Sequence, residues 1–83
     1  MRVASFYGFA RLEREELVPM RQQLLALGQA EGVLGTVLLA EEGINGSLCG
    51  LEAGVGEVLH HLQADPRLAQ LAIRRSTAPT APF

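Results

Sequence analysis

Lysine is absent from this 83-residue chain, and its positive charge rests on seven arginines that form no run before Arg74 and Arg75. Against nine carboxylates they leave a formal net charge of −2. Unspecific grip on a polyphosphate backbone needs clustered cations, so this piece alone is a poor nucleic-acid binder. Cysteine is reduced to Cys49, which excludes an internal disulfide. No stretch approaches the roughly 20 apolar residues of a membrane span. The segment from Met1 to Ala10 has one Arg, three aromatics and no long apolar run, unlike a secretory leader. A cytoplasmic protein with no membrane partner is the expectation.

What remains is the composition of an ordinary globular domain, 48% hydrophobic and 19% charged. A chain this short buries only about 60% of the surface its unfolded form exposes. There is room for one small core. Val3 to Phe9 is aromatic and partly β-branched and reads as a first strand. From about Glu15 to Ala30, Leu17, Met20, Leu24 and Leu27 recur at spacings of three and four, the stripe of an amphipathic helix. Pro19 is compatible with that helix if it lies in the first turn, which sets the start near Glu16, and Gly32 supplies the stop.

Val33 to Ala40 is nearly continuous apolar sequence, which suggests a central, well-buried strand. Asn45-Gly46 is the dipeptide that most readily forms a tight hairpin turn, with Ser47-Leu48-Cys49 returning as the next strand. Leu51 to Ala64 has helical spacing through Leu51, Val55, Val58, Leu59 and Leu62, and Asp65-Pro66-Arg67 ends it. Leu68, Leu71 and Ile73 lead into a last strand, followed by an extended tail from Ser76 to Phe83. The order βαββαβ predicts an α+β, ferredoxin-like (acylphosphatase-like) sandwich, a four-stranded antiparallel sheet with two helices on one face. Residues 1–76 form the expected domain, with 77–83 beginning a linker.

The run Gly35-Thr36-Val37-Leu38-Leu39-Ala40-Glu41-Glu42-Gly43-Ile44-Asn45-Gly46-Ser47-Leu48-Cys49-Gly50 closely resembles a signature of the rhodanese-related, oxygen-dependent tRNA uridine hydroxylases. Phe6-Tyr7-Gly8-Phe9, Asp65-Pro66-Arg67-Leu68, and Ser76 with Pro82-Phe83 are similar to that family's pattern in the same order. The resemblance implies an amino-terminal accessory domain that is not catalytic alone. A rhodanese domain of the same parent chain would follow, holding the reactive cysteine, and tRNA would be engaged through the full-length protein. The family pattern continues past Pro-Phe with a basic strand, so the chain is expected to be a truncated piece of that parent.

The candidate site residues are Glu42, Gly43, Ile44, Asn45, Gly46 and Arg11, as a substrate or interdomain surface. A tight turn explains Asn45-Gly46 but does not require Glu42 or Ile44; the place of those two in the signature it resembles implies a role in docking the rhodanese domain or shaping a shared substrate cleft. Arg11 also reads as a solvated loop cation, and Glu41 with Glu42 as a solvated rim. Cys49 reads as an inert strand residue. His60 and His61, neighbours about 100° apart on a helix, cannot chelate one ion together, so no metal site and no cofactor is expected in this chain. Two rival readings share the topology. An acylphosphatase-like hydrolase would use Arg11 and Asn45, but Gly8-Phe9-Ala10-Arg11-Leu12-Glu13 offers no glycine-rich phosphate cradle. A free-standing RNA-binding or ligand-binding module would stack bases on Phe6, Tyr7 and Phe9, but the third strand carries no ring. The oligomeric state is left open by the sequence.

Overall fold

Residue alternation along the first strand sets the two faces of the sheet. In the computed structural model, which describes residues 1–79, β1 (Arg2–Phe9) buries Ala4 and Phe6 while Ser5 and Tyr7 are exposed. The antiparallel register places Ala4 opposite Leu48 and Gly8 opposite Ile44 of β3 (Gly43–Gly50), so these apolar residues share one face. That face receives Leu24 of α1 (Arg14–Ala30) and Val55, Val58, Leu59 and Leu62 of α2 (Glu52–Gln63). Each such aliphatic side chain contributes about 1.5–3 kcal/mol by leaving water. The edge strands are β2 (Leu34–Ala40) and β4 (Ala72–Thr77), giving the antiparallel order β2-β3-β1-β4 with two helices on one side. This is the ferredoxin-like sandwich that the element order predicts.

Several local expectations are corrected. The apolar run before Ala40 is an edge strand and not a central one. Among the described residues both helices lie on one face, so no strand of this sheet is covered by helices on both sides. Val37 and Leu39 are half-buried against the helices, whereas Leu34 and Leu38 remain exposed. Leu51, which its spacing assigns to the apolar side of α2, is the exposed residue that precedes the helix.

The hairpin does not turn at Asn45-Gly46. Ala40 pairs with Gly43, so the loop is Glu41-Glu42, while Asn45 and Gly46 lie inside β3 opposite Leu38 and Val37. Tertiary hydrogen bonds override the local propensity here. Ala10 N–H donates to the Glu42 carbonyl and Leu12 N–H to the Glu41 carbonyl, each at 3.0 Å, so the chain leaving β1 holds the turn from outside. The positive φ that the corner needs is taken by Gly43, at +152°. Gly46 is required for a different reason. A Cβ there would lie 2.5 Å from the Thr36 carbonyl oxygen and 3.0 Å from Phe6 Cζ.

Helix α1 starts earlier than expected, which leaves Pro19 beyond the first turn. Glu16 accounts for the early start, because its Oε2 accepts the Glu13 N–H at 2.9 Å and occupies an otherwise orphaned donor. Pro19 donates no bond to the Glu15 carbonyl, a defect that the packing tolerates. Past α2, Asp65-Pro66-Arg67 does more than end a helix: residues Pro66–Leu68 form a single 3-10 turn with Leu68 fully buried. Arg67 donates to both carboxylate oxygens of Glu16 at 2.8 Å and to Asp65 Oδ2 at 2.8 Å. At the other end, Ser76 and Thr77 belong to β4, paired with Val3 and Arg2, and are not part of a tail. Pro82-Phe83 lies outside the described residues.

Two outcomes are expected from these contacts. Gly46→Ala should lower stability by about 1–3 kcal/mol through overpacking against backbone, read as a drop in the urea midpoint at unchanged slope; an unchanged midpoint would mean that β2 and β3 separate freely. The Arg67 hydrogen bonds hold the Glu16 carboxyl at about 2, against an ordinary value of 4.5. A depressed pKa stabilises the fold above the unfolded value and loses that contribution as pH falls. The melting temperature should therefore fall between pH 4.5 and 2, more steeply than in Glu16→Gln. Parallel profiles for the two proteins would remove Glu16 from the acid response.

Candidate functional site

The register of β1 against β3 gathers the six sequence-predicted residues at one end of the sheet. Phe9 pairs with Gly43, Gly8 with Ile44, Tyr7 with Asn45 and Phe6 with Gly46. Arg11 joins them because its neighbours Ala10 and Leu12 are hydrogen-bonded to the Glu41-Glu42 turn. The six differ in what they offer. Ile44 is 3% exposed and belongs to the core, and Gly43 and Gly46 provide close backbone approach. Glu42, Asn45 and Arg11 are exposed. Glu41, also exposed, lies 3.7 Å from the Arg14 guanidinium. No desolvated pocket encloses the paired carboxylates, which argues against an acid and base pair.

Around this end the face turned away from the helices forms a shallow concavity lined by Tyr7, Phe9, Leu38, Glu42 and Asn45. Tyr7 is 60%, Phe9 89% and Leu38 60% exposed. Phe6 points the other way, into the core, so the three aromatics near the amino terminus divide between two jobs. Sequence reasoning grouped them, although the alternation of Ala4 and Phe6 with Ser5 and Tyr7 carried the signal. Further along the open face the Ser5 and Ser47 hydroxyls meet at 3.1 Å, and Arg74 stands opposite Ser5. Among the described residues Arg74 is the one charge that the register places on this face; the turn carboxylates lie at its rim. The surface is apolar and hydrogen-bonding, with too little positive charge to hold a phosphate backbone unaided.

The remaining candidates are separate from this end. Cys49 is wholly buried on β3, and its Sγ is 4.0 Å from Met1 Sδ. His60 and His61 are exposed on α2, and no group of three or more metal-ligating side chains occurs among the described residues. The Arg67 network escaped sequence reading because Glu16 is 51 positions away and only folding brings the two together.

The sequence model of a family described as the UPF0176 acylphosphatase-like domain matches residues 1–83. A tRNA uridine(34) hydroxylase of Agrobacterium fabrum is 51% identical over 98% of this chain, which covers 25% of that protein. One from Mesorhizobium japonicum is 42% identical over the whole chain, covering 26% of its length. The chain thus spans about a quarter of the curated relatives it matches. Among solved structures, a bacterial light-regulated adenylyl cyclase superposes at a TM-score of 0.79 with 14% identity, covering 96% of this chain and 24% of that one. A designed protein, Ferredog-Diesel, superposes at 0.58 with 15% identity, covering 93% and 85%. These two likenesses concern the fold alone.

Cys49 should react with a thiol reagent at least about 100-fold more slowly in the folded chain than in denaturant, since reaching it requires a local opening of roughly 3 kcal/mol. Equal rates would show that Met1 does not shield it.

Proposed function

The chain belongs to the UPF0176 acylphosphatase-like domain family, and from that we propose that it is the amino-terminal accessory domain of an oxygen-dependent tRNA uridine hydroxylase. Identity of 51% to a tRNA uridine(34) hydroxylase, sustained over 98% of the chain, is the observation that carries this reading. The chemistry is assigned to a rhodanese domain in the remaining three quarters of the parent, where a loop cysteine would react. Among the described residues nothing is arranged for that step. The single thiol is enclosed, and the turn carboxylates are exposed, Glu41 beside Arg14.

The role left to this domain is binding, with no cofactor of its own. Glu42, Asn45 and Arg11 face outward at the turn, while Gly43, Ile44 and Gly46 hold them in place. We assign this end of the sheet to contact with the rhodanese domain or with tRNA held between the two, in a protein working in the cytoplasm. Among the described residues the register places one cation, Arg74, on the open face, so the parent must supply most of the grip on phosphate.

Glu42→Gln separates this role from folding, because the change is isosteric and the residue exposed. In the full-length protein it should reduce hydroxyuridine formation in tRNA at least about tenfold, the cost of one charge-assisted hydrogen bond, with an unchanged melting temperature. Full activity would leave the turn as scaffold only.

A further inference from the structure

Positive charge is unevenly spread over the sheet. The chain as a whole carries −2, yet three of its seven arginines gather along β4, Arg74 and Arg75 within it and Arg2 opposite Thr77. The register sorts them between the faces. Arg74 lies opposite Ser5 on the open face, whereas Arg75 lies opposite Ala4, which is wholly buried on the helix side. Arg2, two residues before Ala4, falls on that same side and donates to Glu52 of α2 at 3.0 Å. Arg2 and Arg75 are therefore diagonal neighbours, close enough for long side chains to share one space. Among the described residues neither Arg74 nor Arg75 has a carboxylate partner. The space beside Arg2 and Arg75 is a cleft of about 130 Å³ between the strand edge and α2, floored by Val55 and Leu59 and walled by Glu52 and Gly56. Gly56 stands inside a helix, where glycine is less favourable than alanine, and no packing demands it, since a Cβ there would meet nothing within 4 Å. Gly54 differs, because a Cβ there would lie 2.8 Å from the Glu31 carbonyl oxygen. The fold needs one of these glycines; the other keeps the cleft open.

We propose that the β4 edge is a phosphate-binding surface for tRNA, with Arg75 and Arg2 holding one phosphodiester in the cleft and Arg74 a neighbouring one around the edge. It rests on the reading of the parent as a tRNA-modifying protein, and it adds a surface separate from the turn. Three cations against the one carboxylate, Glu52, leave an excess of two positive charges along this edge. A single carboxylate of a neighbouring domain would satisfy one guanidinium, whereas a row of anions answers all of them. Planar guanidinium donates in parallel to two oxygens of one phosphate, and an anion seated between Arg2 and Arg75 relieves two like charges that the fold itself leaves facing the same space. Two contacts of this kind add to the grip of the parent and do not replace it.

Titration of unmodified tRNA into the full-length protein, from about 50 to 300 mM salt, reads these contacts as a slope, because each neutralised phosphate contributes about 0.7–0.9 to the fall of log affinity with log salt. Arg75→Gln and Arg74→Gln, both at exposed positions, should each lower the slope by about that amount and weaken binding about fivefold near 0.1 M salt, alike for every tRNA sequence. Arg21→Gln, the same change of charge at an exposed position of α1, should leave the slope as it is. Gly56→Glu fills the cleft without touching an arginine and meets no packed atom; it should weaken binding to a similar degree with no loss of melting temperature. Unchanged slopes in both β4 variants overturn the proposal, and so does an equal loss in Arg21→Gln, which would make the effect one of net charge. A lower melting temperature of the parent with unchanged tRNA affinity also overturns it, giving these arginines to a carboxylate of the neighbouring domain. Hydroxyuridine formation by the unsubstituted parent is measured alongside. Its absence refutes the hydroxylase reading while the salt slope still tests the edge; its presence with unchanged slopes refutes the edge alone.

Discussion

Phe6 reaches the core because position 46 across the ladder has no side chain. The two central strands approach closely there, and the ring occupies space that a Cβ would otherwise contest. Around that ring the rest is organised. Ala4, Ile44 and Leu48 complete the floor, α2 lays Val55, Val58 and Leu59 over it, and α1 adds Leu24. In a domain of this size there is no second core to share the load. The glycine in the most distinctive stretch of the sequence therefore serves packing first. Any surface role of that stretch is built on a backbone whose position the core already fixes.

The same economy leaves one sheet face bare. Two helices cover this four-stranded sheet on one side, and among the described residues no element covers the turn end of the other. Tyr7, Phe9 and Leu38 stand in water there, and no helix in the fold can reach them. Such a surface is costly to keep exposed unless something else uses it. That makes the open face a more natural meeting place than the helical layer, whose outer surface carries His60, His61 and most of the carboxylates.

The parts of this fold legible in the sequence were those set by periodicity. Leu24 and Leu27 announce α1, Val58, Leu59 and Leu62 announce α2, and the element order then leaves few topologies. The parts that were not legible depend on what lies opposite. Asn45-Gly46 satisfies every local rule for a turn, yet the bonds from Ala10 and Leu12 move the corner to Glu41-Glu42. Val33 to Ala40 reads as a central strand and is an edge, because an apolar run records hydrophobicity and not which neighbours are missing. Of the candidate site, the turn segment was found from its motif, whereas the placement of Arg11 beside it and the outward direction of Tyr7 and Phe9 required the ladder.

Met1 and Ala78 exchange backbone hydrogen bonds, so the two ends of the described chain leave the sheet at one corner, side by side. This has a mechanical meaning. A force applied through both ends does not slide β1 past β4 with all six rungs resisting together; it peels the pair open from that corner, one rung at a time. Strands loaded in this way yield at far lower tension than strands loaded in shear. A motor protease or translocating pore drawing on the domain through both flanks would meet β4 as a zip, and once β4 is lifted, β1 becomes an edge and the rings it carries lose half their footing.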